Sequence, residues 1–147
     1  MKAKSLIIFL IIGLLSMTNC DCAQAQNKPS DKQAITMLKE FYTVYITELS
    51  KWPINSTELN TIKKKYCTSS LLSKIKAQFK SGQLSADPFL QAQDFDISWL
   101  KTLSVNRDSK KLNGYNISYI DSEAKEKVVI RLTVIKQGDG HKIASIR

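Results

Sequence analysis

From Asp31 to Ser50 the apolar residues Ala34, Ile35, Leu38, Phe41, Tyr42, Tyr45 and Leu49 recur at three- and four-residue spacing, which puts them on one face of a helix. Ser30, followed three residues later by Gln33, supplies a capping-box start. Pro53 forbids continuation, because its ring removes a backbone donor and clashes with the turn before it. Asn55 with Glu58 offers a second cap ahead of Leu59, Ile62 and Tyr66, so a short second helix is expected. Thr68 can cap a third, with Leu71, Leu72, Ile75 and Phe79 on one side and an end at Ser81-Gly82.

Beyond Gly82 the helical spacing disappears. Ala86 to Gln93, around Pro88, reads as a loop or turn. Four strands follow: Leu103 to Arg107, Tyr115 to Asp121, Lys127 to Lys136 and His141 to Ile146. Asn113-Gly114 and Gly138-Asp139-Gly140 provide the positive-φ positions that tight connections require. Tyr115, Ile117 and Tyr119 share one face of the second strand, and Val128, Ile130, Leu132 and Val134 share one face of the third. Opposite the latter lie Val129, Arg131, Thr133 and Ile135, so one side of the sheet is the more apolar. Helices first and then an antiparallel meander is the α+β order in which N-terminal helices pack on one side of a curved antiparallel sheet.

The first residues have the order of a secretory signal peptide: Lys2 and Lys4, then an apolar run from Leu6 to Leu15 broken by Gly13, then polar Thr18, Asn19 and Asp21. That run is short of the roughly 20 apolar residues a spanning helix needs. Ala23-Gln24-Ala25 has the small-x-small form of a cleavage site, so residues 1–25 are assigned to the leader and 26–30 to a short polar tether before a single domain at 31–147. Periplasmic or secreted export follows. An alternative keeps Cys20 as a lipidated N-terminus that would tether the protein to a membrane, although Met17-Thr18-Asn19 is a poor form of the box that precedes such a cysteine, and Asp21 before Cys22 is worse. With both leader cysteines removed, Cys67 is the single thiol, which excludes an intramolecular disulfide and reads as a small buried apolar residue.

Charge adds little specificity. The chain carries 22 Lys+Arg against 13 Asp+Glu, and loss of Lys2, Lys4 and Asp21 leaves a net of +8. The lysines are scattered through helices and strands without interleaved aromatics or glycine loops, so they read as a solvated surface and not as a nucleic-acid footprint. One histidine, His141, excludes a multi-histidine metal site. Asp87, Asp94 and Asp96 lack the alternating ligands and central glycine of a calcium loop, and no cofactor motif is present.

Five stretches stand out together: Met37-Leu38-Lys39-Glu40-Phe41-Tyr42, Lys64-Lys65-Tyr66-Cys67 leading into Leu71-Leu72, Asp87-Pro88-Phe89-Leu90 with Ala92-Gln93-Asp94, Trp99-Leu100-Lys101-Thr102-Leu103, and Ile130-Arg131-Leu132-Thr133-Val134. With them the chain resembles a family of exported proteins from Bacteroides-type bacteria known as domain of unknown function 3828. The resemblance covers nearly the whole chain after the leader. It implies a cystatin-like or nuclear transport factor 2-like fold, in which helices embrace a strongly bent sheet and a pocket opens between them. Many members of that family look like lipoproteins with a better cysteine box than the one at Cys20.

On that expectation the candidate site lies in the segment 87–99, which gathers carboxylates, amides and aromatics in a loop-rich stretch. Gln93 and Asp94 or Asp96 would hydrogen-bond a ligand, with Trp99 or Phe89 packing against it and Tyr42 and Tyr45 contributing from the first helix. The competing structural reading has Asp94 or Asp96 capping a turn, Asp87 starting a proline turn, Phe89, Phe95 and Trp99 in the core, and the two tyrosines in the helix-face core with hydroxyls near the surface. Enzymes on the implied fold use an Asp general base with a Tyr oxyanion donor, for which Asp94 with Tyr42 or Tyr45 would serve. The favoured function is a non-enzymatic envelope binding module for a small ligand or a partner protein. The alternatives are an enzyme using an Asp base and a basic structural or inhibitory envelope protein. No catalytic residue, nucleic-acid partner, metal or cofactor is assigned.

Overall fold

The computed structural model describes residues 31–147. The leader, the tether, Cys20, Cys22 and the capping residue Ser30 lie outside them. The elements run α1 (Asp31–Leu49), α2 (Ser56–Tyr66), α3 (Ser69–Lys80), a 3-10 turn (Ile97–Lys101), β1 (Ser104–Arg107), β2 (Gly114–Ile120), β3 (Lys127–Gln137) and β4 (Gly140–Ile146). Helices therefore precede a four-stranded antiparallel sheet of order β1-β2-β3-β4, an α+β fold.

The helix starts follow the local chemistry. Asn55 Oδ1 accepts from the backbone N–H groups of Thr57 and Glu58, both at 3.1 Å, and satisfies two donors that α2 would otherwise leave free. Thr68 Oγ1 does the same for Leu71 N–H at 3.2 Å at the start of α3. That helix ends where Gly82 takes a φ of +73°, a left-handed conformation that glycine adopts without a Cβ penalty.

Pairing registers keep one face of the sheet apolar. Val105 lies opposite Ile117, Ile117 opposite Ile130, Tyr115 opposite Leu132, and Tyr119 opposite Val128. An irregularity at Thr133/Val134 shifts the β3–β4 register, so that Ile143 faces Val134 and Ile146 faces Leu132. The β3–β4 connection is a two-residue turn, Gly138-Asp139, with the positive φ at Gly138. In the β1–β2 connection Asn113 takes the positive φ, and Gly114 answers a different constraint. A Cβ there would come within 2.8 Å of Lys111 Cβ and 3.1 Å of Asp108 Cβ.

The core lies between α1 and this face. Ala34, Leu38, Phe41, Tyr42 and Ile46 from α1 are fully buried against Tyr115, Ile117, Ile130, Leu132, Val134 and Ile143, with Phe89 and Leu90 closing one end. Aromatic rings make much of the contact: Phe41 stacks on Tyr45 at 5.3 Å and meets Phe89 edge-on at 5.3 Å. The face of the sheet beneath α1 is thus filled with side chains.

Two expectations need correction. Phe79, expected on the buried side of α3, is 47% exposed, because α3 touches the body through Leu71, with Leu72 and Ile75 half-buried. Phe95, expected in the core, is 37% exposed, in the irregular stretch that precedes the 3-10 turn. Phe89 and Trp99 are buried as the structural reading required.

Candidate functional site

A cleft with a largely apolar lining lies at the edge of the body, between α3, the loop 84–91 and the end of β4. It encloses about 360 Å³. Leu71, Ile75, Leu84, Ala86, Pro88 and Ile146 supply its apolar lining, and Lys74, Gln78, Gln91 and Arg147 its polar lining, with Asp87 also facing it. Helical spacing explains the α3 contribution: Leu71, Lys74, Ile75 and Gln78 stand at steps of three and four and share one face. Gln91 Nε2 donates to the carbonyl of Arg147 at 3.2 Å, which ties the loop to the end of the sheet. Among the described residues the side chains of Lys74 and Arg147 form neither an ion pair nor a hydrogen bond, and both residues are exposed.

Asp87 shapes the loop that walls this cleft. Its Oδ1 accepts from Phe89 N–H at 2.7 Å and Leu90 N–H at 3.3 Å, the hydrogen bonds of an Asx turn, while Oδ2 accepts from the Tyr45 hydroxyl at 2.5 Å. Its own N–H donates to Ala92 O at 2.9 Å and closes the turn. Burial pushes the Asp87 carboxyl above the usual carboxylate range, against the opposing pull of Tyr45, the two N–H groups and Lys63. Burial and the neighbouring Asp87 push the Tyr45 phenol well above its ordinary value. With three of about four acceptor positions occupied, Asp87 holds a wall and has little left to offer a ligand.

The residues singled out in the sequence divide between two places. Gln93, Asp94, Asp96 and Trp99 line a second cleft of about 400 Å³, together with Asp121, Ser122 and Glu123. Asp96 is engaged structurally there: Oδ1 caps the 3-10 turn by accepting Ser98 N–H at 2.8 Å, and Oδ2 accepts from the Ser122 hydroxyl. The Ser122 hydrogen bond, with help from Ser98, holds its carboxyl below the usual range. Trp99 is buried and stacks on Tyr119 at 4.4 Å, and Tyr119 donates its hydroxyl to Leu90 O at 2.6 Å. Asp94 and Gln93 are exposed.

Tyr42 and Tyr45 do not line this second cleft. Both are in the core, and their hydroxyls are buried, contrary to the expectation that they reach the surface: Tyr45 binds Asp87, and the Tyr42 oxygen has no hydrogen-bond partner among the described residues. The proposed pairing of Asp94 as base with either of these tyrosines is therefore not assembled, since the carboxylate that reaches Tyr45 is Asp87. Cys67 is 3% exposed, and burial pushes its thiol up to about 12 in spite of Lys142 and Lys63. Such a thiol is a poor nucleophile. Burial, with Lys136 beside it, lowers the pKa of His141. Among the described residues no three His, Cys, Asp or Glu side chains are placed to hold a metal ion. No helix among them is long and apolar enough to cross a membrane.

The first cleft escaped the sequence because its walls come from positions as far apart as Leu71 and Arg147. One signal was available. The stripe Leu71, Leu72, Ile75 and Phe79 is wider than the single contact line a peripheral helix can cover, so part of it had to line open space.

Architecture and clefts together define an α+β protein with a packed core and clefts at its surface. It is similar to a crystal structure of a protein of unknown function from Bacteroides thetaiotaomicron VPI-5482, with a TM-score of 0.70 and 27% sequence identity over 79% of this chain and 89% of that one. No protein-family model matches the chain, and no curated protein matches it.

Proposed function

We propose that the protein is an exported, non-enzymatic binding module that holds a small amphipathic anion in the cleft beside α3. The observation that carries this reading is the pairing of an apolar cleft with two cationic side chains, Lys74 and Arg147, that have no anionic partner among the described residues. An aliphatic segment would lie against Leu71, Ile75, Leu84 and Ile146, and a carboxylate or similar head would meet the cations. The volume is near the lower end of the roughly 300–1,000 Å³ of ligand pockets, so the ligand is small. Catalysis has less support, because Asp87 is occupied by Tyr45 and two N–H groups and Cys67 is buried.

Export rests on the order Lys2, Lys4, Leu6 to Leu15 and Ala23-Gln24-Ala25, and the lipid anchor at Cys20 is its variant form. Membership of the domain of unknown function 3828 family, with a cystatin-like or nuclear transport factor 2-like fold, belongs to the same proposal. It is supported by the quoted sequence stretches and by the succession of helices and meander.

Titration calorimetry with octanoate, octanol and acetate tests the ligand reading. Octanoate is expected to bind, octanol at least about tenfold more weakly for loss of charge–charge attraction, and acetate not at all. Ala86→Trp should block the cleft and abolish the heat while circular dichroism stays unchanged. Equal affinity for octanoate and octanol, or full binding by the blocked variant, would overturn it. Intact mass spectrometry of protein recovered from its native host tests export: a mass starting at Gln26 or a diacylated Cys20 supports it, and an uncleaved precursor refutes it.

A further inference from the structure

We infer that the flank of α3 facing α2 is a docking surface for an anionic phospholipid membrane. A groove of about 470 Å³ runs between these helices, with Leu72, Ile75 and Phe79 as its apolar part and Lys63, Lys64 and Lys76 as its basic part. No acidic side chain lines it, and α3 contains none. Among the described residues none of the three lysines is in an ion pair or a side-chain hydrogen bond. Phe79 leaves 47% of its surface exposed beside these lysines, an apolar ring that a folded body would be expected to cover more fully.

Charge complementarity selects the occupant. Leu72, Ile75 and Phe79 at steps of three and four form an apolar row, and flanking lysines can keep their ammonium groups at head-group level while their methylene stems follow the ring inward. This is the pattern of a helix lying in the plane of a membrane interface. An anionic polysaccharide would engage the same lysines and leave Phe79 without a role. Each lysine near an anionic surface raises partition roughly fivefold, and three acting together raise it roughly a hundredfold. Added salt weakens that preference because the Debye length falls from about 10 Å at 0.1 M to about 3 Å at 1 M. Ile75 lines this groove and the ligand cleft alike, but the docking surface does not rest on the ligand reading.

Co-sedimentation of the host-processed protein with vesicles of phosphatidylcholine, alone or doped with phosphatidylglycerol, tests the inference. A leader or lipid anchor would drive binding to both kinds of vesicle, so the ratio between them isolates the patch. The expected ratio exceeds about ten and falls at high salt. The triple variant Lys63→Gln, Lys64→Gln, Lys76→Gln should bring it to near one, and Phe79→Ser should lower binding to the anionic vesicles severalfold. Both changes are at surface side chains, and an unchanged circular dichroism spectrum confirms the fold. A wild-type ratio of one overturns the proposal. So does a Phe79→Ser variant that binds as wild type while soluble dextran sulfate displaces both, which would assign the lysines to a polyanion.

Discussion

The hydroxyl of Tyr45, on α1, donates to Asp87 Oδ2 at 2.5 Å across 42 positions of the chain. It fixes the loop 87–91 to the core helix, and through that loop it sets one wall of the ligand cleft.

Tyr45→Phe keeps the ring packed on Phe41 and Phe89 but leaves Asp87 with its two backbone donors alone. A hydrogen bond to a charged group contributes about 1.5–3 kcal/mol, so urea unfolding should show a loss of about that size at unchanged m-value. Asp87→Ala should cost more than Tyr45→Phe, because it strands the Tyr45 hydroxyl and two N–H groups at once. Equal losses for the two variants would mean that the Asx turn does not depend on the carboxylate.

The pH dependence of stability carries a sign set by burial. The folded-state pKa of Asp87 is raised, so between its unfolded and folded values the native state holds the extra proton. Its contribution is therefore most favourable in acid and declines as pH rises through the window just above the ordinary carboxylate range. Asp96 and Glu40 act oppositely. Hydrogen bonds from Ser122 and from Tyr66, respectively, lower their pKa values, and their contribution is present above the unfolded pKa and lost as pH falls through the folded one. Asp87→Asn mimics the protonated acid in charge, so its deficit relative to wild type should be largest in acid and shrink across that window. A deficit that grows with rising pH contradicts the assignment.

Much of this architecture was legible because each signal was local. The α1 stripe, the Asn55 and Thr68 caps and the alternation in β2 and β3 each lie within a single element or at its end, and the strand limits differ from expectation by a residue or so. What stayed hidden depends on distant partners. Nothing near Asp87 in sequence announces Tyr45, and nothing in α3 says which of its apolar residues the end of β4 will cover. The 3-10 turn Ile97–Lys101 is too short for a periodic signature, and the exposed Phe95 belongs to the same irregular stretch.

Cys67 offers a chemical test of how closed the core is. It bridges to Ile143 in parallel fashion, and Thr68 N–H donates to Ile143 O at 2.9 Å, so the thiol sits under the seam that joins α2, α3 and β4. With its pKa pushed up to about 12, iodoacetamide at pH 8 should leave the Cys67 peptide unlabelled in native protein and label it fully in denaturant. Peptide mapping reads this residue separately from Cys20 and Cys22. Rapid labelling of native Cys67 would show that the seam opens readily.

That seam also bounds α3, the helix on which both proposed surfaces depend. Its one buried residue is Leu71, whereas α1 buries seven, so α3 should open locally at a free energy below that of global unfolding while α1 does not. Native-state hydrogen exchange measures both in one experiment. Amides of Ile75 to Phe79 are expected to exchange with low sensitivity to denaturant, and those of Leu38 to Tyr42 only through global unfolding. Thr68→Ala removes the cap on Leu71 N–H and should lower the α3 opening energy by about 1 kcal/mol without a comparable change in the local opening of α1. A ligand in the cleft should raise the protection of α3, since it binds between that helix and the loop 84–91. If α3 and α1 exchange with the same energy and the same denaturant slope, the helix is an integral part of the cooperative core.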